Sequence, residues 1–398
     1  MERVTIVGLG MGTPGTLTAD GRAALAEARR IVGAKRLLET LPDGCTDNRA
    51  AAVKPEAIAA ALTDFPACVV MSGDTGFYSG AKKLLPLLAG YDVTVLPGIT
   101  TVQYLAARLG RPWQDVRLVS AHGLRCDAVA AVLGGRETFF LTGGTVTPGE
   151  IARQLTEAGL GDVTLHVGER LSYPDERVVS APARALAGAA FDSLSAVWAE
   201  AVAPAWRPLG CGIPDEAFLR GDVPMTKREV RAAIPGLLAP ERGDVVWDVG
   251  AGTGSVSVEL AQLDPSLQVY AVEPNEEACG LIARNRAQFG AYNLRLVQGA
   301  APAALEDLPA PAAAFLGGSG GQLGRCLEIL LEKNPAVRVC VSAIAAETLG
   351  RATELLSGGA WQDFAVAQIS AARSRKAGPY HLMTGQNPIW LLSARGRG

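Results

Sequence analysis

Two glycine-dense loops, each directly behind a β-branched run, constrain this chain more than any other feature. "VTIVGLGMGTPGTLT" covers residues 4–18, and "VVWDVGAGTGSVSVEL" begins at Val245. A strand that ends in glycines and opens into a helix marks an α/β layer. Glycine lets the backbone turn sharply and lets a ligand approach closer than a Cβ allows. Neither loop fits the dinucleotide fingerprint G-x-G-x-x-G; in the first, the third glycine falls at Thr13. The 398 residues are also long for one core, and roughly 150 residues per domain predicts two or three domains.

Strand-like runs alternate with helical patterns throughout, which predicts α/β architecture with largely parallel sheets. In the first half the strands are "RVTIVG", "PACVVMSG", "DVTVLPG", "DVRLVSAHG", "ETFFLTGG", "DVTLHVGE" and "SLSAVWAE". Helices lie between them, as in "TADGRAALAEARR" and at "TPGE", where Thr147 is an N-cap, Pro148 the first helical residue and Glu150 the closing member of a capping box. Residues 203–224 are rich in Pro and Gly and carry no sustained period. The pattern restarts at "TKREVRAAIPGLL", with Thr226 and Glu229 in capping-box spacing, and runs through "DVVWDVG", "LQVYAVEP", "LRLVQGA" and "AAAFLGGSG" to "NPIWLLS". The expected organisation is a first domain over 1–205, a linker or domain entry over 206–224 and a second domain over 225–398. No fixed-period repeat relates the halves, so they are two different domains.

Charge narrows the function classes. Residues 1–205 hold 19 basic and 21 acidic side chains, leaving 18 and 19 for the rest. Neither half has the basic excess of a nucleic-acid binder, so an anionic ligand must be met by local clusters of Arg and Lys. No apolar run reaches the ~20 residues that span a bilayer, and "MERV" leads straight into a strand rather than a signal peptide. Seven scattered cysteines without a C-x-x-C, beside three histidines, argue for reduced cytoplasmic thiols and against a metal site.

The second loop, Asp248-Val249-Gly250-Ala251-Gly252-Thr253-Gly254, ends a buried-type strand. The next strand ends at Glu273. An acid at that edge suits the two hydroxyls of a ribose. The D-x-G-x-G-x-G variant points to S-adenosylmethionine rather than NAD, since that cofactor brings no pyrophosphate to the helix N-terminus.

"GIPDEAF", "PMTKREVR", "VWDVGAGTGSVSVELA", "VYAVEPN" and "FLGGSGG", in that order, resemble the decarboxylating precorrin methyltransferase domain of cobalamin biosynthesis over residues 210–395. The resemblance implies a Rossmann-like domain with cofactor contacts at Gly250, Ala251, Gly252, Thr253, Gly254 and Glu273, completed by Thr226, Gly299 and Ala300. A helix N-cap explains Thr226 equally well.

"VGLGMGTPGTLT", "MSGDTGFYSGA", "LPGITTVQYLAARLG", "LVSAHGL" and "FFLTGGTVTPGEIA" resemble the tetrapyrrole methylase family over residues 3–202. That implies a two-lobed domain whose cofactor lies in the cleft, touched by Ser72, Gly73, Asp74, Phe77, Thr100 and Thr101. Met11 and Thr75 stand where the family usually has prolines. Asp74 also fits a turn residue bonding its own backbone.

Together the resemblances imply two S-adenosylmethionine-dependent methylations of precorrin-6B, at carbon 5 by the first half and carbon 15 by the second, with decarboxylation of the ring C acetate to give precorrin-8. They imply self-association too, hence a homo-oligomer. The anionic tetrapyrrole must meet basic groups, for which Arg373, Arg375 and Lys376 are candidates, with the backbone of Gly317, Gly318, Ser319 and Gly320. A solvated loop and a simple turn explain these two stretches as well. A general acid for decarboxylation is sought among His122, Tyr380 and His381, although a satisfied structural histidine fits His122 equally. The alternative is a methyltransferase acting on RNA or a protein, with the first half a non-catalytic binding domain.

Overall fold

The computed structural model describes residues 1–121, 126–202 and 210–398. They form two compact units. The first comprises residues 1–126, 136–157 and 161–201; the second comprises 127–135, 158–160 and 202–398.

The first unit holds two five-stranded sheets. One is built from β1 (Arg3–Gly8), β2 (Arg30–Gly33), β3 (Arg49–Ala51), β4 (Ala67–Met71) and β5 (Asp92–Leu96), in the order β3-β2-β4-β1-β5. Every pairing in it is parallel. Strand β4 is buried along its whole length, as a strand covered on both faces must be. The other sheet contains β6 (Arg117–Ser120), β7 (Thr138–Leu141), β8 (Thr164–Glu169), β9 (Arg177–Pro182) and β10 (Ser195–Ala199), in the order β6-β7-β10-β8-β9. Here only β6 and β7 run parallel, while the other three pairings are antiparallel. The expectation of largely parallel sheets therefore fails for this half-unit. Strand direction depends on which neighbour a strand joins, and hydrophobic pattern carries no record of that. Strands β2, β3 and β9 are additions to the reading from sequence. The first two are short, and β9 lies mostly exposed at an edge, so none offers a clear apolar period.

The second unit is a seven-stranded sheet plus a separate hairpin. Its strands are β11 (Val245–Val249), β12 (Gln268–Glu273), β13 (Leu294–Gln298), β14 (Ala313–Leu316), β15 (Arg338–Ala343), β16 (Trp361–Ile369) and β19 (Ile389–Gly396), ordered β13-β12-β11-β14-β15-β19-β16. Strands β11 to β15 are parallel, and β19 and β16 close the edge antiparallel. Strands β17 (Ala372–Ala377) and β18 (Tyr380–Gly385) form the hairpin. Of the two readings of residues 206–224, the contacts fit a domain entry: Ile213 and Phe218 are buried in this unit's core, and the Gly212 and Ile213 amides donate to the buried Glu259 carboxylate.

Local capping held by half in one place, where the Glu150 carboxylate turns to Arg153 and Gln154 rather than closing the box, and failed in another. The Glu150 N–H donates to Thr147 Oγ1 at 3.2 Å ahead of the helix Pro148–Glu157. The helix Arg228–Leu238, however, takes Lys227 as N-cap with no side-chain bond, and Glu229 is drawn away by Arg373. Among the described residues no helix is long and apolar enough to cross a membrane.

Candidate active sites

In the first unit, β1, β4 and β5 are parallel neighbours that end together. The loops that follow them press backbone on backbone. A Cβ on Gly8 would lie 2.7 Å from Gly98 N and 2.8 Å from Gly73 O. Gly10 and Gly73 exchange two hydrogen bonds, of 3.2 and 2.8 Å. The first glycine loop is thus glycine-rich because three strand ends converge there, not because it turns around a pyrophosphate.

Beside this junction lies a cavity of about 300 Å³. The first sheet contributes Gly10, Met11, Ser72, Gly73, Phe77, Thr100 and Thr101 to its lining. The second contributes Leu141, Thr142, Arg170, Leu171, Tyr173 and Ser193–Ser195. Ser72, Gly73, Phe77, Thr100 and Thr101 were named from sequence, and the fold brings them together. Asp74 is the exception. Its Oδ2 accepts from Gly76 N at 2.8 Å and its Oδ1 from Gly98 N at 3.0 Å, so the carboxylate staples the turn rather than lining the cavity.

Hydrogen bonds hold the positions where prolines were expected. Met11 N–H donates to Thr16 Oγ1 at 3.0 Å, and Met11 O accepts from Ser172 Oγ at 3.2 Å. Thr75 is buried and donates to Leu96 O at 3.3 Å. Arg36 and Arg170 line the cavity, whose described lining residues include no carboxylate. Arg170 sits in the left-handed region at φ 46° and pairs with Asp175 at 2.5 Å. Neither arginine was found from sequence, since nothing local distinguishes them. His122 lies outside the described residues.

In the second unit the strand order reverses between β11 and β14, and a doubly wound sheet opens its ligand crevice at that switch point. Both glycine stretches sit there. Gly250 (φ 75°) follows β11 and Gly317–Gly318 follow β14; the amides of both latter residues donate to Val249 O at 2.9 and 3.2 Å. A Cβ on Gly250 would stand 2.4 Å from Gly318 O. At the end of β12, Glu273 is buried, with Oε2 accepting from Gly252 N at 2.8 Å and Oε1 from Asn275 N at 3.0 Å. Gly299 N–H donates to Glu273 O at 3.1 Å, bringing the turn that continues into Ala300 to the same edge. The sequence-named residues from Gly250 to Glu273, with Gly299 and Gly317–Gly320, thus gather along one carboxyl edge. Thr226 is half-buried just before Lys227, its carbonyl accepting from Arg231.

The donor set fits a nucleoside-bearing cofactor. Thr253 Oγ1 and Asp248 Oδ1 are buried without a hydrogen-bond partner, and such groups in a native fold call for a ligand or water. Burial pushes the Asp248 carboxyl up to about 7, although Ser257 donates to its other oxygen. Among the described residues no cluster of His, Cys, Asp and Glu is placed to hold a metal ion.

The basic stretch after β16 is neither a loop nor a single cluster. It is the β17–β18 hairpin, in which Arg375 pairs in register with Leu382, Lys376 with His381, and Ala377 with Tyr380. Strand alternation therefore puts Arg373, Arg375 and Tyr380 on one face and Lys376 and His381 on the other. Arg373 is already engaged by Asp215 and Glu229. Burial pushes the Asp215 carboxyl up, but Arg231 and Arg373 outweigh it and hold it below its ordinary range.

A cleft between two sheets in one unit and a switch-point crevice in the other define a two-domain methyltransferase, and family models bear this out. Residues 3–187 match the tetrapyrrole (corrin/porphyrin) methylases, and residues 216–395 match the precorrin methyltransferase domain. The chain is 32% identical over 393 residues to a Sinorhizobium precorrin-6Y C(5,15)-methyltransferase [decarboxylating], covering 97% of this chain and 94% of the relative. A Mycobacterium tuberculosis protein of the same name is 33% identical over 339 residues, 84% of this chain and 85% of its own. The second unit alone is matched by a probable cobalt-precorrin-6B C(15)-methyltransferase (decarboxylating) of Pyrobaculum calidifontis, 41% identical over 186 residues, 46% of this chain and 95% of the relative. The chain belongs to the family of decarboxylating precorrin-6Y C(5,15)-methyltransferases.

Proposed function

We propose that this chain methylates precorrin-6B at carbons 5 and 15 and removes the carboxyl group of the ring C acetate, giving precorrin-8. The first unit acts at carbon 5; the second acts at carbon 15 and decarboxylates. The observation that carries this reading is one relative matched end to end through both units, with a separate cofactor-type site in each. S-adenosylmethionine, when bound, supplies an electrophilic methyl group.

The protein's share of the work is placement and exclusion of water. In the first unit, Ser72, Gly73, Thr100 and Thr101 offer hydroxyls and backbone groups, Phe77 an apolar wall, and Arg36 and Arg170 the positive charge that a polycarboxylate requires. In the second unit Glu273 accepts from ribose hydroxyls while Gly250–Gly254 admit the cofactor against bare backbone. The Gly317 and Gly318 amides are held by Val249 O, which leaves the backbone of Ser319 and Gly320 to meet an acetate or propionate in the adjoining crevice. The reduced macrocycle is itself the nucleophile, so no Ser/His/Asp or Cys/His device is needed, and loss of carbon dioxide leaves a carbanion that the ring delocalises before it takes up a proton.

Mass spectrometry after incubation with precorrin-6B and isotopically labelled S-adenosylmethionine tests the reading. Two labelled methyl groups gained with one carbon dioxide lost is the expected product. A single methyl, or a retained carboxyl, refutes the bifunctional assignment.

A further inference from the structure

Arg373 ties the hairpin to the segment that enters the cofactor site of the second unit. Its guanidinium donates to Asp215 Oδ2 at 2.7 Å and to the two oxygens of Glu229 at 3.2 and 2.7 Å. Asp215 uses its other oxygen to accept from Arg231 Nη1 at 2.7 Å. Arg231 is completely buried; it also donates to the carbonyls of Ile213 and Thr226, and its Nε lies 3.4 Å from Glu259. Two residues before Thr226, the Pro224 carbonyl approaches the glycine loop so closely that a Cβ on Gly252 would stand 3.0 Å from it. A continuous path of packed and hydrogen-bonded groups therefore runs from the glycine loop to the base of the hairpin.

Register then decides which face of the hairpin this path anchors. Arg373, Arg375 and Ala377 share a face with Thr384, Leu382 and Tyr380, while Ser374 and Lys376 share the opposite one with Met383 and His381. Arg373 and Ala377 are half-buried with Arg375 exposed between them, whereas Ala372, Ser374 and Lys376 on the opposite face are all exposed, so the hairpin is anchored through its Arg373 face and Arg375 stands open on it. On it, Arg373 is consumed by carboxylates, and Arg375 has no ion pair or hydrogen bond among the described residues. Lys376 is equally unpaired but stands on the outward face beside His381.

We propose that Arg373 is a positioning residue that anchors the hairpin to the Thr226 segment, and that Arg375, on the anchored face, is the cation the hairpin offers to a carboxylate of the tetrapyrrole, whereas Lys376 is not. This rests on the reading of the second unit as a precorrin methyltransferase. It divides a basic run that sequence alone treats as one patch, and it gives the buried network Asp215–Arg231–Glu259 a purpose beyond stability, namely fixing the direction in which Arg375 projects.

The test uses the full chain and four variants, Arg375→Ala, Lys376→Ala, Arg373→Ala and Arg373→Lys. KM and kcat for precorrin-6B are read at carbon 15 by mass spectrometry, and cofactor affinity by titration with S-adenosylhomocysteine. A lost charge-assisted hydrogen bond raises KM about tenfold or more in Arg375→Ala, with cofactor affinity and kcat held within about twofold, while Lys376→Ala stays near wild type. Arg373→Ala raises KM and speeds proteolytic cleavage within residues 372–385, and Arg373→Lys, which keeps the charge, recovers part of the loss. A Lys376→Ala effect as large as that of Arg375→Ala, or an Arg373→Ala chain with unchanged KM and cleavage, overturns the proposal. Fluorescence quenching by a soluble octacarboxylate porphyrin repeats the Arg375 against Lys376 comparison without turnover. It separates failure of this proposal from a wild-type chain inactive at carbon 15, which would fail the functional reading instead.

Discussion

The two units reach the same end, a glycine-lined site at the carboxyl edge of a parallel sheet, by different routes. In the second unit one sheet suffices, because the strand order reverses between β11 and β14 and the loops after β11, β12, β13 and β14 share one edge. In the first unit the cavity needs both sheets, and its far wall comes from Thr142, Arg170, Tyr173 and Ser195, well over a hundred residues from Gly10 in the latter cases. The first kind of site is carried by short stretches of chain; the second exists only once two sheets have packed.

That contrast can be broken most sharply at Gly250. A Gly250→Val side chain would drive into Gly318 O from a left-handed backbone, at a cost of several kcal/mol, about 3 or more by the strain and overpacking it combines. Methylation at carbon 15 is expected to fall by at least about a hundredfold while carbon 5 methylation persists, seen as a singly methylated, undecarboxylated product. Loss of both methylations would mean that the units do not work independently.

Glu273→Ala is expected to come next. Removing the buried carboxylate strips the Gly252 amide of its partner and the ribose of its acceptor, weakening S-adenosylhomocysteine binding by about 1.5–3 kcal/mol. Titration of the full chain should then show one unaltered site and one weakened site. Two weakened sites would contradict the separation.

Asp248 provides a pH signature in the second unit. Burial raises its folded pKa to about 7 from the ordinary 3.8. The folded form therefore holds this proton where the unfolded chain has released it, and the contribution is complete below about pH 4 and lost as pH rises through 7. Asp248→Asn should flatten the decline in melting temperature of the second unit between pH 5 and pH 8, measured by calorimetry. An unchanged slope would remove Asp248 as its source.

The smallest effect is expected at Met11→Pro, which restores the residue usual in tetrapyrrole methylases but removes the N–H donor to Thr16. The cost is about 1 kcal/mol in denaturant stability of the first unit. A gain instead would show that the rigidity of proline outweighs that bond.

Legibility followed the same divide. The loop Gly250–Gly254, the acid Glu273 and the succession of β11 to β14 along the chain could be read directly, since β-branched runs, glycines and a spaced acid are local signals. In the first unit Ser72, Gly73, Phe77, Thr100 and Thr101 were reached through resemblance, and Arg36 and Arg170 not at all. Asp74 shows why: a carboxylate beside a glycine turn looks the same in sequence whether it meets a ligand or, as here, the Gly76 and Gly98 amides.

By itself the sequence determined two α/β domains, a glycine loop at the end of β11 and an acid at the end of β12, because strand period and glycine content are properties of contiguous residues. Tertiary structure alone decided the antiparallel pairing of β7 through β10, the burial of Ile213 and Phe218, and the partition of Arg373, Arg375, Lys376, Tyr380 and His381 between the faces of a hairpin. Each of these depends on which distant segment becomes a neighbour. A one-residue change of register would move every one of those side chains to the opposite face.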